Sequence, residues 1–378
     1  MPEAASKANE GNMQPAAWVR AVLLGTIVVA LGIPPRAVTA ALAQQEGPQT
    51  APPAEPPQQP KPPTTPPQSQ PQAKTPPPPQ VSISVETNLV NVDATVTDQE
   101  GNIVTGLKKE NFRIFDNDQP QEITNFAPSS APITICILME FSSRAWGYFG
   151  YKAQEWAYNF LGHLNPQDWV ALKTFDLKTT IRVDFTQNKN EVEQAIATLG
   201  YPGFSEDNLF DSVLETLDDM RDVRGKKAIL VIATGFDTLS RHTLDETYHR
   251  VKETDTTIFC VGMGEEIELY GQGNDISYLQ AKNELTTFAN WTGGYAWFPR
   301  FQGEMGEIFS SVAAFLRNQY TMGFSPSSPH DGKYHLLRVD VVDDRGNPLT
   351  LANKKGKQKK VVVYARRGYS SQVISSGN

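Results

Sequence analysis

The sequence predicts an α/β protein, in which a doubly wound and mostly parallel sheet is inserted in a small β-sandwich-like domain. Strand and helix patterns alternate over residues 133–319, which is the order of βαβ units. Alternating β patterns precede and follow this segment, and we expect the N- and C-terminal flanking pieces to pair in space. The predicted divisions are a signal peptide (1–43), a Pro-rich disordered linker (44–82), a first β piece (83–128), the α/β domain (129–319), a second β piece (320–370) and a tail (371–378).

The N-terminal segment has the layout of a secretory signal. Arg20 precedes an apolar run over residues 21–33, and Ala41-Leu42-Ala43 supplies a small-x-small cleavage site. Because the run is shorter than the ~20 residues that span a bilayer, cleavage after Ala43 is favoured over an uncleaved anchor. The sequence therefore predicts a secreted, periplasmic or cell-envelope protein that contacts a membrane only if this segment stays uncleaved.

The linker and the overall charge restrict the function further. Residues 47–80 are rich in Pro, Gln and Thr, so they are expected to form an extended spacer or a tolerated disordered linker. The net charge is −8 and there is no basic cluster, which argues against nucleic acid as a partner.

Cys136 and Cys260 lie in two predicted strands, and we expect one further strand to lie between them. The sequence therefore predicts two free, buried thiols.

Each element of the α/β segment follows from its apolar pattern. The central strand, 133–140, is an unbroken β-branched run of the kind that is buried on both faces of a parallel sheet. Phe149, Ala153, Trp156 and Phe160 recur at helical spacing and predict one helix. The other predicted strands are 169–175, 181–185, 228–233, 257–262 and 295–298, and the other helices are 191–199, 209–220, 244–254, 276–290 and 305–316.

The flanking pieces alternate with period two. Apolar residues at 90, 92, 94 and 96 predict a strand with one face in water, and those at 337, 339 and 341 repeat the pattern. Turns are predicted at 98–101 and 343–347, and the last strand at 360–365.

Polar residues follow the central strand, where ligands bind in open α/β sheets. The block Glu140-Phe141-Ser142-Ser143-Arg144 resembles Asp-x-Ser-x-Ser, the first loop of the metal-ion-dependent adhesion site in von Willebrand factor type A (VWA) domains. Residues 207–211 resemble the second loop of that site, and 232–237 resemble the third. Residues 101–107, 292–298, 319–324 and 366–369 are similar to a bacterial, secreted VWA-related subgroup, so the resemblance covers about 85–370 and implies a Rossmann-like VWA sheet.

The resemblance implies a degenerate metal site. Family members hold a divalent cation such as Mg²⁺ with hydroxyl and carboxylate oxygens, and the corresponding residues here are Glu140, Ser142, Asp207 and Thr234. Only Ser142 matches the family. Glu140 replaces Asp, Arg144 replaces the second Ser, Asp207 replaces Thr, and Thr234 replaces Asp.

Two interpretations of this site stay open. In the favoured one there is no cofactor, because the Arg144 guanidinium takes the place of the cation and pairs with Glu140 or Asp207. In the other, Mg²⁺ or another divalent cation binds a rearranged set of oxygens. Arg144 pointing to solvent is a third arrangement.

A rim for partner binding is predicted around the site, formed by Trp146, Tyr148, Tyr151 and Asp237. Local packing of the aromatic residues is the alternative, and Phe149 is expected to face the core. His242 is the histidine expected nearest this rim.

These observations predict a non-catalytic, extracytoplasmic protein-binding module for adhesion or assembly, with an unidentified protein partner. The alternatives are a metal-dependent VWA adhesin with a rearranged site and a structural protein of envelope assembly. An enzyme is not expected, since the chain lacks Gly-x-Ser-x-Gly and His-Glu-x-x-His.

Overall fold

The computed structural model of the protein describes residues 89–128, 131–264, 275–327 and 331–371. All of them belong to one compact unit, 81–378. The predicted signal peptide and the Pro-rich linker lie outside the described residues. Within these ranges every helix is too short or too polar to cross a bilayer.

The described elements follow the predicted alternation. The strands are β1 (Val90–Thr97), β2 (Phe112–Asp116), β3 (Gln119–Gln121), β4 (Asn125–Pro128), β5 (Ile133–Glu140), β6 (Trp169–Phe175), β7 (Thr179–Thr186), β8 (Lys226–Ala233), β9 (Thr257–Gly262), β10 (Ala296–Trp297), β11 (Tyr320–Phe324), β12 (Tyr334–Val341), β13 (Thr350–Ala352), β14 (Gln358–Lys360), β15 (Val362–Ala365) and β16 (Gly368–Ser370). The helices are α1 (Ser143–Phe149), α2 (Ala153–Leu161), α3 (Lys189–Ala197), α4 (Leu209–Met220), α5 (Leu244–Glu253), α6 (Asp275–Thr292) and α7 (Met305–Arg317).

The α/β segment is built on a six-stranded sheet in the order β10-β9-β8-β5-β6-β7. All neighbours in this sheet are parallel except β7, which runs antiparallel to β6. The predicted mostly parallel sheet is therefore confirmed. The exception has a simple cause, because residues 176–178 are too short a connection for a parallel crossover.

Helices cover both faces of this sheet. Apolar side chains of α2, α3 and α7 pack on one face, and those of α4, α5 and α6 pack on the other. The two faces of β5 are consequently both buried, as its unbroken apolar pattern predicts.

The first helix differs from the prediction. Instead of one continuous helix, α1 and α2 are separated by a 3₁₀ turn at Gly150–Lys152. The indole of Trp146 lies over Gly150, where a Cβ atom would be 2.5 Å from the ring. This close approach, together with the low helix propensity of Gly147 and Gly150, interrupts the helix.

The two cysteines are free and buried, as predicted. β8 lies between β5, which carries Cys136, and β9, which carries Cys260. Burial raises the pKa of Cys136 to about 12. Both side chains therefore act as small apolar groups.

The flanking pieces form two four-stranded antiparallel sheets, β15-β1-β11-β4 and β16-β12-β2-β3. Each of these sheets combines strands that precede the α/β segment with strands that follow it. Their inner faces share one apolar core, in which Phe112, Tyr320 and Phe324 are large members.

A buried histidine links three strands of the second sheet. His335 on β12 is 2.7 Å from Oδ1 of Asp116 through Nδ1 and 3.1 Å from Oδ1 of Asp331 through Nε2. The Tyr369 hydroxyl donates to Oδ2 of Asp116 at 2.8 Å and its ring stacks on the imidazole. Burial lowers the pKa of His335, but the bonds to Asp331 and Asp116 outweigh burial and raise the pKa above its ordinary value.

We predict that this network makes the free energy of unfolding fall at alkaline pH. The imidazolium is stabilised only in the folded state, so its contribution is full below about pH 6.5 and is lost as pH rises through the raised pKa. Each unit of that rise corresponds to about 1.4 kcal/mol. Urea unfolding from about pH 5.5 to about pH 8.5 should show this loss, and His335→Gln should remove it. The matched variant His249→Gln, at an exposed histidine of α5, should keep the wild-type profile.

Candidate functional site

Glu140, the last residue of β5, connects two loops of the candidate site. Its side chain is fully buried. Oε1 accepts a hydrogen bond from the Ser142 hydroxyl at 2.5 Å, and Oε2 accepts from the backbone N–H and the hydroxyl of Thr234 at 2.6 and 2.8 Å. Thr234 directly follows β8. One carboxylate therefore ties the loop after β5 to the loop after β8.

The two hydroxyls that contact Glu140 also hold their own loops. Ser142 is the N-cap of α1, and its oxygen accepts from the Ala145 N–H at 3.2 Å. The Thr234 oxygen accepts from the Phe236 N–H at 3.3 Å. Each hydroxyl thus donates to Glu140 and accepts from its own loop.

Asp207 enters the site from the loop before α4. Its N–H donates to the Thr238 hydroxyl at 2.8 Å, and its carbonyl accepts from the Thr238 and Leu239 N–H groups at 3.1 and 2.9 Å. The side chain is fully buried, yet neither carboxyl oxygen has a hydrogen-bond partner among the described residues. A buried polar group without a partner costs roughly 1–3 kcal/mol.

The pKa values of both acids are raised, chiefly by burial. Burial raises the pKa of Asp207 to about 9, the charge of Glu140 adds to the rise, and Arg144 opposes it. Burial also raises the pKa of Glu140, against the hydrogen bonds from Ser142 and Thr234 and the attraction of Arg144. Burial and the charge of Glu140 therefore favour the neutral form of the Asp207 carboxyl group.

Arg144 does not form the predicted pair. Within the described ranges it makes no ion pair with Glu140 or Asp207, although its charge lowers the pKa of both. The guanidinium carbon lies 5.3 Å from the ring centroid of Phe236. The predicted pairing of Arg144 with Glu140 is absent from the described chain, because Ser142 and Thr234 already donate hydrogen bonds to both oxygens of that carboxylate.

The predicted rim residues have different surroundings. Trp146 is half-buried and packs edge-on against Phe141, with ring centroids 4.9 Å apart. Asp237 accepts from the Phe210 N–H at 3.0 Å and the Ser240 hydroxyl at 2.5 Å, so it holds the start of α4 against the third loop. The side chains of Tyr148, Phe149 and Tyr151 lie outside the described residues.

Two exposed apolar side chains beside the site were missed by sequence reasoning. Phe204 is 48% exposed and its carbonyl accepts from the Ser143 N–H at 2.7 Å. Leu239 is 52% exposed and its N–H bonds the Asp207 carbonyl. The sequence signal was weak, because isolated apolar residues in polar loops have no period.

His242 is held by Asp211, the last residue of the second motif. Nδ1 of His242 lies 2.7 Å from Oδ1 of Asp211, which also accepts the His242 N–H at 3.1 Å. The pair therefore joins the segment after the third loop to α4. No hydroxyl or thiol of the described chain hydrogen-bonds the other ring nitrogen.

Few oxygens of the candidate site are free to hold a divalent cation. In the described ranges no group of three or more His, Cys, Asp or Glu side chains is placed to hold a metal. The oxygens of Glu140 are occupied, so the free carboxyl oxygens are those of Asp207. The positive charge of Arg144 beside them opposes a second cation.

Comparison with known proteins gives likenesses among solved structures. No family model matches the chain, and no curated protein matches it. A von Willebrand factor type A structure from Catenulispora acidiphila is 10% identical, with 70% of this chain and 74% of that chain covered and a TM-score of 0.42. The vWF domain of the type V pili tip protein Mfa5 from Porphyromonas gingivalis is 12% identical, with coverage of 49% and 95% and a TM-score of 0.38.

A third likeness is to proximal thread matrix protein 1 from the mussel byssus, in a structure with a zinc-occupied adhesion-site motif. It is 13% identical, with 53% of this chain and 49% of that chain covered and a TM-score of 0.41.

We predict that Asp207→Asn stabilises the protein increasingly as pH rises. A carboxyl whose pKa is raised on folding loses stability between its unfolded value, near 4, and its folded value of about 9. Asparagine has no such loss, so the difference in unfolding free energy between variant and wild type should grow by up to about 1.4 kcal/mol per pH unit in that window. Urea titrations at several pH values measure it. A constant difference would contradict the assignment, and Glu215→Gln, at an exposed acid of α4, is the control.

Proposed function

We propose that the chain is a non-catalytic, extracytoplasmic protein-binding module for adhesion or assembly, and that its partner contacts the carboxyl edge of the central sheet. One observation carries the proposal: Arg144 lies half-buried on the Phe236 ring without an ion pair in the described chain. A guanidinium that is held in place but uncommitted is a common anchor in protein interfaces.

The surroundings of Arg144 support an acidic contact on the partner. Phe204 and Leu239, which are exposed, belong to the loops that fix Ser143 and Asp207. Apolar side chains beside a cation exclude water from a salt bridge and strengthen it. The partner would present a carboxylate to Arg144 and apolar groups to its neighbours.

In this proposal the site is a degenerate relative of the metal-dependent type. Arg144 supplies the positive charge that a cation supplies in the family, and Glu140 and Asp207 form the acidic floor below it. The alternative, a metal-dependent adhesin with a rearranged site, is favoured by the two free oxygens of Asp207.

A structural role in envelope assembly is the remaining alternative. β7 forms one edge of the central sheet, and its Ile181 is 59% exposed. An exposed edge strand would accept a strand from another chain. The pattern of the N-terminal segment supports an extracytoplasmic location for all three functions.

Calorimetry with Mg²⁺, Mn²⁺ and Ca²⁺ separates the first two functions. We expect no binding tighter than millimolar by the wild-type protein, because Arg144 repels the cation. Arg144→Ser, which restores the family's hydroxyl, should bind Mg²⁺ more tightly than the wild type. If the wild-type protein binds a cation tightly and Asp207→Asn abolishes that binding, the site is metal-dependent and the degenerate interpretation is wrong.

Affinity capture from cell-envelope extract tests the rim. A partner retained by the wild-type protein should be lost with Arg144→Ala and with Phe204→Ser, each by about tenfold or more in affinity, the usual effect at an interface hot spot. Arg345→Ala, at an exposed arginine in the 343–347 turn, is the matched control and should retain the partner. If all variants retain the partner, the partner does not bind at the carboxyl ends of the central strands.

A further inference from the structure

A second candidate site lies at the opposite edge of the central sheet. A cavity of about 960 Å³ opens where β8 and β9 begin and where β1 and β11 of the flanking sheet come close. Its walls include the side chains of Lys226, Thr257, Asp93, Thr321 and Arg366. This volume is in the range of small-molecule sites, roughly 300–1,000 Å³.

The backbone of Arg366 is fixed at the wall of this cavity. It pairs with Thr292 in an isolated bridge, and the next N–H, that of Arg367, donates to the Trp291 carbonyl at 3.0 Å. Gly293 has a φ of +80°, and a Cβ atom there would be 2.6 Å from the Arg366 nitrogen. The chain end of β15 is therefore pressed onto the loop after α6.

The Arg366 side chain has no acidic partner in the described chain, and its guanidinium carbon lies 5.8 Å from the ring centroid of Tyr369. Its Nε is buried without a hydrogen bond in the described chain, and the guanidinium makes no ion pair there. Burial lowers the pKa of Arg366, and the attraction of Asp255 and Asp93 opposes that effect without direct contact. A half-buried cation without a counter-ion is stabilised when an anion binds to it.

Lys226 lines the same cavity and is also unpaired with an acid in the described residues. It is buried, and its Nζ donates to the Leu316 carbonyl at 2.8 Å. Burial lowers the pKa of Lys226 to about 8. An anion in the cavity would stabilise its charged form.

Two of the three acidic side chains on the cavity wall have partners, and the third, Asp222, is exposed to solvent beside the exposed Arg221 and Arg224. Asp255 pairs with Lys227 at 2.9 Å, and Lys227 donates to two backbone carbonyls as well. Oδ1 of Asp93 accepts the Thr321 hydroxyl at 2.5 Å. Arg366 and Lys226 are therefore left as two cations facing one polar cavity.

We propose that this cavity binds a small polar oxyanion, a molecule that carries a carboxylate or phosphate group, with Arg366 as its bidentate anchor and Lys226 as a second positive contact. Arginine matches the geometry of both groups. The Thr257 hydroxyl on the wall provides a further hydrogen bond to the body of such a ligand. This site is independent of the carboxyl edge and of Arg144.

Calorimetry of the full chain with inorganic phosphate and with citrate tests the proposal and separates the two ligand groups. We expect saturable binding of at least one probe at one site per chain. Arg366→Gln should weaken it about tenfold or more, as the loss of a charged hydrogen-bond pair does, and Arg366→Lys should weaken it less. Arg345→Gln, at an exposed arginine that does not line the cavity, should bind as the wild type does.

Thermal unfolding without the probes shows whether each variant is folded. Should Arg366→Gln fail to fold, Lys226→Met decides, and it should also weaken binding. Absence of saturable binding to the wild-type protein, or equal affinity in the folded cavity variants, would overturn the proposal. Arg144→Ala should bind both probes with unchanged affinity, so the result is independent of the proposed protein-binding function.

Discussion

The arrangement of the carboxyl edge depends on the hydrogen bonds of one buried carboxylate. Glu140 accepts from Ser142 and twice from Thr234, which joins the loops after β5 and β8. Glu140 uses these donors, and neither carboxyl oxygen of the buried Asp207 has a hydrogen-bond partner in the described chain. Two acids in low dielectric do not ionise together easily, so the neutral form of Asp207 is favoured, and Arg144 makes no direct ionic contact with either acid in the described chain.

The two ends of the central sheet carry buried or half-buried groups of opposite kind, acidic at one end and basic at the other, that lack ionic partners in the described chain. At the carboxyl edge, acids are buried in excess of their hydrogen-bond donors. At the amino ends of the strands, Lys226 is buried and Arg366 is half-buried, and neither contacts an acid in the described chain. Buried groups of this kind are costly in isolation and are found where a ligand or partner completes them. Both edges are therefore sites of recognition in our proposals, for a protein carboxylate at one and a small anion at the other.

Much of the fold was accessible from the sequence, because strands and helices have local periods. The patterns placed β5 and α4 at their observed bounds, and the apolar surroundings of both cysteines indicated free thiols. The break between α1 and α2 was not accessible, since it depends on how the Trp146 indole lies over Gly150. The antiparallel direction of β7 was likewise not accessible, because the spacing of apolar residues predicts a strand but not the direction in which it runs.

For the candidate site, sequence alone determined which loops carry it. Chain order and the parallel sheet bring the ends of β5 and β8 to one edge, whatever the side chains do there. Only the tertiary structure decided how those side chains bond, because Glu140 meets Thr234 across 94 residues and Asp207 meets Thr238 across 31. The cavity beside Arg366 was likewise decided by tertiary structure, since its walls come from distant segments and no local pattern records which buried charge is left without a partner.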